Sequence, residues 1–126
     1  MDFKLELVPI PVTDVDRAKA FYTERVGFHC DLDFSPNDAF RVVQLTPPGS
    51  ACSICIGVGV VGTPPGSVQG LHLVVADIHA ARAELVGRGV DVAEVVDMSA
   101  PGKPTVSYAA FTDPDGNGWT LQQLPY

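Results

Sequence analysis

Apolar positions in this chain alternate, then step by three and four, then alternate again, and the whole sequence of patterns occurs twice. From Phe3 to Val12 the period is two, with Val8, Ile10 and Val12 on one face, which predicts a strand. Asp14 follows as a helix N-cap, Val15, Ala18, Tyr22 and Val26 recur at helical spacing, and Gly27 ends the run. Strands are predicted over 28–34, 40–45 and 51–58, separated by a turn at 35–38 and by Pro47-Pro48-Gly49-Ser50. The stretch VVGTPPGSVQ (60–69) is rich in Gly and Pro, has no period and reads as a connector.

The same grammar then restarts. Gly70–Ala76 reads as a strand, Asp77 caps a helix carrying Ile78, Ala81 and Leu85, and Gly89 closes it. Strands over 90–96, 106–112 and 118–124 follow, with a loop at 98–104 and the turn Pro114-Asp115-Gly116-Asn117. Val12-Thr13-Asp14-Val15 matches Val75-Ala76-Asp77-Ile78 at an offset of 63, and Thr46-Pro47-Pro48-Gly49 matches Asp113-Pro114-Asp115-Gly116 at 67. Two near-equal offsets at element junctions indicate a duplicated β-α-β-β-β module. The expected class is α+β: one domain over 1–126, with modules 1–58 and 70–126 joined by the linker 59–69. A single module could not cover both faces of its sheet, so the two must share a core.

Composition narrows the function. The 126 residues are 46% hydrophobic and 18% charged, as expected of a globular chain with a real core. Eight basic against fifteen acidic residues give a net charge of −7, and the basic residues are scattered, which argues against nucleic-acid binding. No apolar run reaches the ~18 residues of a membrane span. The start MDFKLELVPIPV lacks a basic leader and a long apolar segment, so the expected location is the cytoplasm. Cys30, Cys52 and Cys55 are odd in number and expected to be reduced.

Strand alternation separates two faces. In the strands at 51–58, 70–76 and 118–124, one face is solidly apolar: Ile54 and Ile56, Leu71 and Leu73, Trp119 and Leu121. The other presents Ser53, Cys55, His72, Thr120 and Gln122. Solvated sheet faces normally carry Lys, Glu and Asp; small uncharged polar groups suit the lining of a ligand pocket.

The segments VTDVDRAKAFYTERVGF, LHLVVADIHAARAELVGRGV and FTDPDGNGWTLQQ together resemble the vicinal oxygen chelate superfamily, which includes glyoxalases, extradiol dioxygenases, fosfomycin-resistance enzymes and bleomycin-binding resistance proteins. The likeness covers essentially the whole chain. It implies a cupped eight-stranded mixed sheet built from two modules, with helices on the convex face. Short chains resembling this family commonly form homodimers, and a homodimer is the expected state.

In metal-using members of that family, ligands occupy four matching positions. Counted seven residues before each helix-opening Asp and three past each turn, these are Leu7, Gly70, Ser53 and Thr120, none of them an ordinary divalent-metal ligand. A set shifted by two residues, Cys55, His72 and Gln122 with Pro9, lacks a fourth donor. No metal or other cofactor is expected. The literal G-x-G-x-x-G at 57–62 is followed by Thr63-Pro64-Pro65-Gly66, which cannot open the helix a dinucleotide site needs. The C-x-x-C of Cys52 and Cys55 lies on a strand, where positions i and i+3 face opposite ways. Asp113, Asp115 and Asn117 resemble the start of a calcium loop without its bidentate Glu. His29 and His79 read as surface residues.

The expected function is a metal-free cup holding a small organic molecule, with Arg41, Ser53, Cys55, His72, Tyr108, Thr120 and Gln122 as candidate ligand-binding residues. Arg41 and Tyr108 correspond between modules at the 67-residue offset, which is compatible with the cup mouth or with plain surface. The alternative is a metal-independent isomerase, lyase or cyclase with His72 as general acid or base.

Overall fold

The computed structural model describes residues 1–125. Its strands are β1 (Leu7–Pro9), β2 (His29–Asn37), β3 (Phe40–Thr46), β4 (Ser53–Val58), β5 (Leu71–Val74), β6 (Val96–Met98), β7 (Val106–Thr112) and β8 (Gly118–Gln123). Helix α1 (Val15–Ala20) runs on into a π-helical stretch, Phe21–Val26, and α2 spans Ile78–Gly87. The tandem β-α-β-β-β modules are both present. Their strands form two four-stranded mixed sheets, ordered β1-β4-β3-β2 and β5-β8-β7-β6.

Local chemistry accounts for the helix ends. Asp14 accepts from the Arg17 amide (3.0 Å) and Asp77 from the Ala80 amide (3.1 Å), each satisfying a free N–H of the first turn. Gly27 ends the π stretch at φ 92°, a conformation that costs a side-chain-bearing residue. Within that stretch the Thr23 hydroxyl donates back to the Lys19 carbonyl (2.8 Å), competing with the regular ladder.

The first predicted strand is much shorter than its hydrophobic pattern, and the one at 90–96 is displaced. The first was expected from Phe3 and starts at Leu7, because its only partner, β4, begins at Ser53. Pro9 and Pro11 offer no N–H to extend it. The strand expected over 90–96 lies instead at Val96–Met98, sharing only Val96 and taking in Met98, where a loop was expected. Within the expected span the Arg82 guanidinium takes the carbonyls of Val92 (3.0 Å) and Ala93 (2.8 Å), so a side chain replaces the ladder.

One core joins the two sheets. Val43, Leu45, Ile54 and Ile56 of the first sheet and Ala109, Phe111, Trp119 and Leu121 of the second belong to a single buried cluster. Aromatic rings from the first module lie on the second: Phe21 against Phe111 (6.5 Å), Tyr22 and Phe28 against Trp119 (5.8 and 5.6 Å). At its centre the fully buried Tyr22 hydroxyl donates to Asp113 Oδ2 (2.8 Å) and accepts from Trp119 Nε1 (2.9 Å). Asp113 also receives the Asp115 and Asn117 amides (both 2.9 Å) and the Asn117 side chain (2.8 Å). Asn117 in turn reaches the Pro11 carbonyl (2.9 Å) and the Val68 amide (3.1 Å). The turn read as an incomplete calcium loop is therefore a lock between modules.

Burial, and then the Asp113 carboxylate, pushes the Tyr22 hydroxyl above the ordinary phenol range. Tyr22→Phe removes a donor from a buried carboxylate while keeping the ring. It should cost about 1.5–3 kcal/mol, read as a lowered urea midpoint with an unchanged slope. A loss below about 0.5 kcal/mol would show that the hydroxyl contributes nothing to the lock.

Candidate functional site

Because the helix-side faces of both sheets share one core, their opposite faces are turned away from each other within one chain. We call these the concave faces. On the first, register places Leu7 and Pro9 beside Ser53 and Cys55, with Val42, Gln44 and Thr46 on β3 and Leu32 and Phe34 on β2. On the second, His72 and Val74 lie beside Thr120 and Gln122, with Tyr108 and Ala110 on β7 and Val96 on β6. The small polar groups cluster on β4 and β8 and at His72, while Leu7, Leu32, Phe34, Val42, Val74 and Val96 make the surrounding parts of these faces apolar.

Each face carries its own hydrogen-bonded set. On the first, Gln44 Nε2 donates to the buried Ser53 hydroxyl (3.5 Å), Ser53 and Thr46 hydroxyls are 2.6 Å apart, and Thr46 donates to Asp31. A carboxylate only accepts, so the Thr46 proton goes to Asp31 and the Ser53 proton to Thr46, which fixes the direction of the chain. On the second, His72 Nδ1 lies 2.8 Å from Gln122 Oε1, and the Tyr108 ring meets the imidazole edge-on at 5.9 Å. An amide oxygen only accepts, so in the neutral ring Nδ1 carries the hydrogen and Nε2 is left as an acceptor.

The candidate residues thus fall into two groups. Ser53 and Cys55 share one face; His72, Tyr108, Thr120 and Gln122 share the other. They do not converge in one hollow of a single chain, because each sheet turns its polar face away from the common core. Arg41 belongs to neither. It lies on the helix side, where Nη1 bonds Asp16 (2.8 Å) and the guanidinium grips Asp33 through Nε (3.0 Å) and Nη2 (2.8 Å). Pairing to those acids, one of them at the start of α1, pulls it off the cup mouth. Cys55 is buried, and burial pushes its thiol up, which disfavours the thiolate. All three cysteines are free thiols.

The register also corrects the family-matched positions. Leu7 lies opposite Ser53, and the residue opposite Thr120 is His72, not Gly70. The module-2 strand runs into its helix by a loop two residues shorter, which spoils counting from the Asp. The four positions become Leu7, Ser53, His72 and Thr120, with one imidazole among them, and these residues do not fit a divalent metal. The shifted set of Cys55, His72 and Gln122 does not fit a divalent metal either, since it lacks a fourth protein donor. No cluster of three or more His, Cys, Asp or Glu suited to a metal occurs among the described residues.

Sequence reading missed Gln44, Thr46 and Asp31. The first two are legible in principle, since period two from Leu45 places them on the Ser53 side. Asp31 reaches that side through a register shift between Cys30 and Leu32, which no alternation rule foresees. A cleft of about 480 Å³ opens between the 47–50 turn, β5 and α2, lined by Phe28, Leu73 and Leu85 and by His72 and Val74 of the second concave face.

A model of the Glyoxalase/Bleomycin resistance protein/Dioxygenase superfamily matches residues 4–121. The chain belongs to this superfamily. Among solved structures, TnmS3, an antibiotic binding protein from Streptomyces sp. CB03234, is 36% identical over 97% of this chain and 96% of its own, with a TM-score of 0.79. A glyoxalase/bleomycin resistance protein from the same strain is 37% identical over 95% and 100%, with a TM-score of 0.76. A superfamily member from Sphaerobacter thermophilus DSM 20745 is 28% identical over 98% of both chains, with a TM-score of 0.79. No curated protein matches the chain significantly. Among the described residues no helix is long and apolar enough to cross a membrane.

The placement of Arg41 has a measurable consequence. Hydrogen bonds from Arg41, then Lys19, hold the Asp33 carboxyl well below the usual carboxylate range. A lowered folded-state pKa adds stability above the unfolded value of ~3.9, which fades as pH falls below it. Arg41→Ala should therefore lower the urea midpoint near pH 7, and the gap from wild type should shrink below about pH 4. A gap that persists undiminished in acid would assign the loss to packing instead.

Proposed function

We propose that the chain is a cytoplasmic small-molecule-binding protein that works as a homodimer without a metal. Each cup is formed by the first sheet of one copy and the second sheet of the other. The observation that carries this reading is the outward turn of two half-sites, each with a fixed polar set inside an apolar frame. Leu7, Leu32 and Phe34 on one face and Val74, Val96 and Met98 on the other are 38–62% exposed in the single chain. Such patches mark surfaces that associate. The chain exposes 7504 Å², against ~6,450 Å² for a compact monomer of its mass. The unpaired edges of β1 and β5 give a second copy somewhere to dock. The similarity to an antibiotic binding protein supports a ligand over a purely structural role.

In this dimer Ser53, Cys55 and Gln44 of one copy oppose His72, Tyr108, Thr120 and Gln122 of the other. Light scattering should give a mass of twice 13.3 kDa at micromolar concentration. Val74→Asp, which sets a charge in the apolar frame, should yield a folded monomer that has lost ligand binding. A wild-type chain that stays monomeric at tens of micromolar while still binding ligand would overturn the shared cup.

A second reading is favoured by one observation, the fixing of His72 Nδ1 by Gln122. This leaves Nε2 as a base in a metal-independent isomerase, lyase or cyclase, with Gln122 and Ser53 positioning a substrate oxygen. Turnover that survives chelator and disappears in His72→Ala would establish it. Turnover unaffected by that substitution would remove His72 as the base.

A further inference from the structure

The charges on the concave faces are one-sided. Of the eight Lys and Arg residues, Arg17, Lys19 and Arg25 lie on α1 and its π extension, and Arg82 and Arg88 on α2 and its C-terminal cap. Arg41 is turned to the helix side by Asp33 and Asp16, Lys4 precedes β1, and Lys103 sits in the β6–β7 loop. No strand position on either concave face carries a Lys or Arg. The ionisable acid that reaches either is Asp31, through Thr46, with His29 at the same edge, 3.7 Å from it. The chain as a whole carries a net charge of −7. An anion entering this cup would shed its water with no positive group to replace it.

The hydrogen-bonding polarity adds a second constraint. Gln122 occupies His72 Nδ1, so the neutral ring offers Nε2 as an acceptor, and Nε2 bonds to no protein group among the described residues. A ligand N–H or O–H opposite it makes a bond; a ligand oxygen without hydrogen leaves the lone pair unmet.

Resting on the binding reading above, we infer that the site takes uncharged or cationic ligands that donate a hydrogen bond to His72 Nε2, and rejects carboxylates, phosphates and sulfates. The frame of Leu32, Phe34, Val74 and Val96 suits a flat apolar body; the charge and donor pattern selects among such bodies.

Four probes on one ring system separate these requirements: 9-anthracenemethanol, 9-(methoxymethyl)anthracene, 9-(aminomethyl)anthracene and 9-anthracenecarboxylate. Fluorescence titration of the full-length protein at neutral pH should give alcohol and ammonium affinities at least ~10-fold above that of the carboxylate. The methyl ether should bind roughly fivefold or more weakly than the alcohol. In His72→Phe, an exposed position that tolerates the ring, the alcohol–ether difference should vanish while discrimination against the carboxylate persists. Thr120→Lys, which sets a cation beside His72, should raise carboxylate affinity. A carboxylate that binds wild type as well as the alcohol does would overturn the charge rule and leave the binding reading standing. An ether that equals the alcohol would overturn the donor rule alone. If no probe binds below millimolar concentration, the binding reading fails and this inference with it.

Discussion

A buried carboxylate holds this molecule together. Asp113 sits at the end of β7, nearly inaccessible, and takes hydrogen bonds from the Tyr22 hydroxyl, the Asn117 side chain and two backbone amides. An ion in that position is tolerated only when it is well hydrogen-bonded, and here its own turn supplies three donors and the first module a fourth. Tyr22 brings the helix of the first module, and Asn117 brings the β1–α1 connection through Pro11 and the linker through Val68. The aromatic stack of Phe21, Tyr22, Phe28, Phe111 and Trp119 then fills the space around it.

That lock has a functional consequence. By fastening the helix-side faces together, it leaves the two polar faces apart within one chain, and the proposed dimer is what would make half-sites of them. The order Gln44–Ser53–Thr46–Asp31 on one face and the His72–Gln122 pair on the other are each oriented by an acceptor-only oxygen. Each half-site is thus preorganised before any ligand arrives, which lowers the ordering cost of binding. In the proposed dimer the two halves are complementary: one is a row of hydroxyls and an amide, the other an imidazole and a phenol.

The superfamily likeness and the arrangement of polar groups bear on different questions. Membership accounts for the tandem modules, and many unrelated activities share such folds. At the four matched positions, Leu7, Ser53, His72 and Thr120, His72 supplies the one imidazole, and such a set does not fit a divalent metal. The segregation of every Lys and Arg away from the concave faces bears on the ligand itself, and fold similarity carries no information about it.

Much of the fold was legible because alternation and helical stepping are local consequences of burying one face. The two modules, the capping Asp14 and Asp77, the ends at Gly27 and Gly89, and the sides taken by Ser53, His72, Thr120 and Gln122 all follow from spacing. The π stretch, the displacement of the strand expected at 90–96, and the bulge that brings Asp31 to Thr46 do not, because each depends on side chains competing for backbone or hydroxyl groups. Arg41 illustrates the limit: its place stood open between cup mouth and plain surface, and only the fold showed Asp16 and Asp33 holding it on the helix side. His72 illustrates the converse, since its face was readable and its position across from Thr120 was not. Sequence determined which side chains share a face, because alternation is built into the backbone. Tertiary structure decided which faces meet, because that depends on where a buried carboxylate finds its donors.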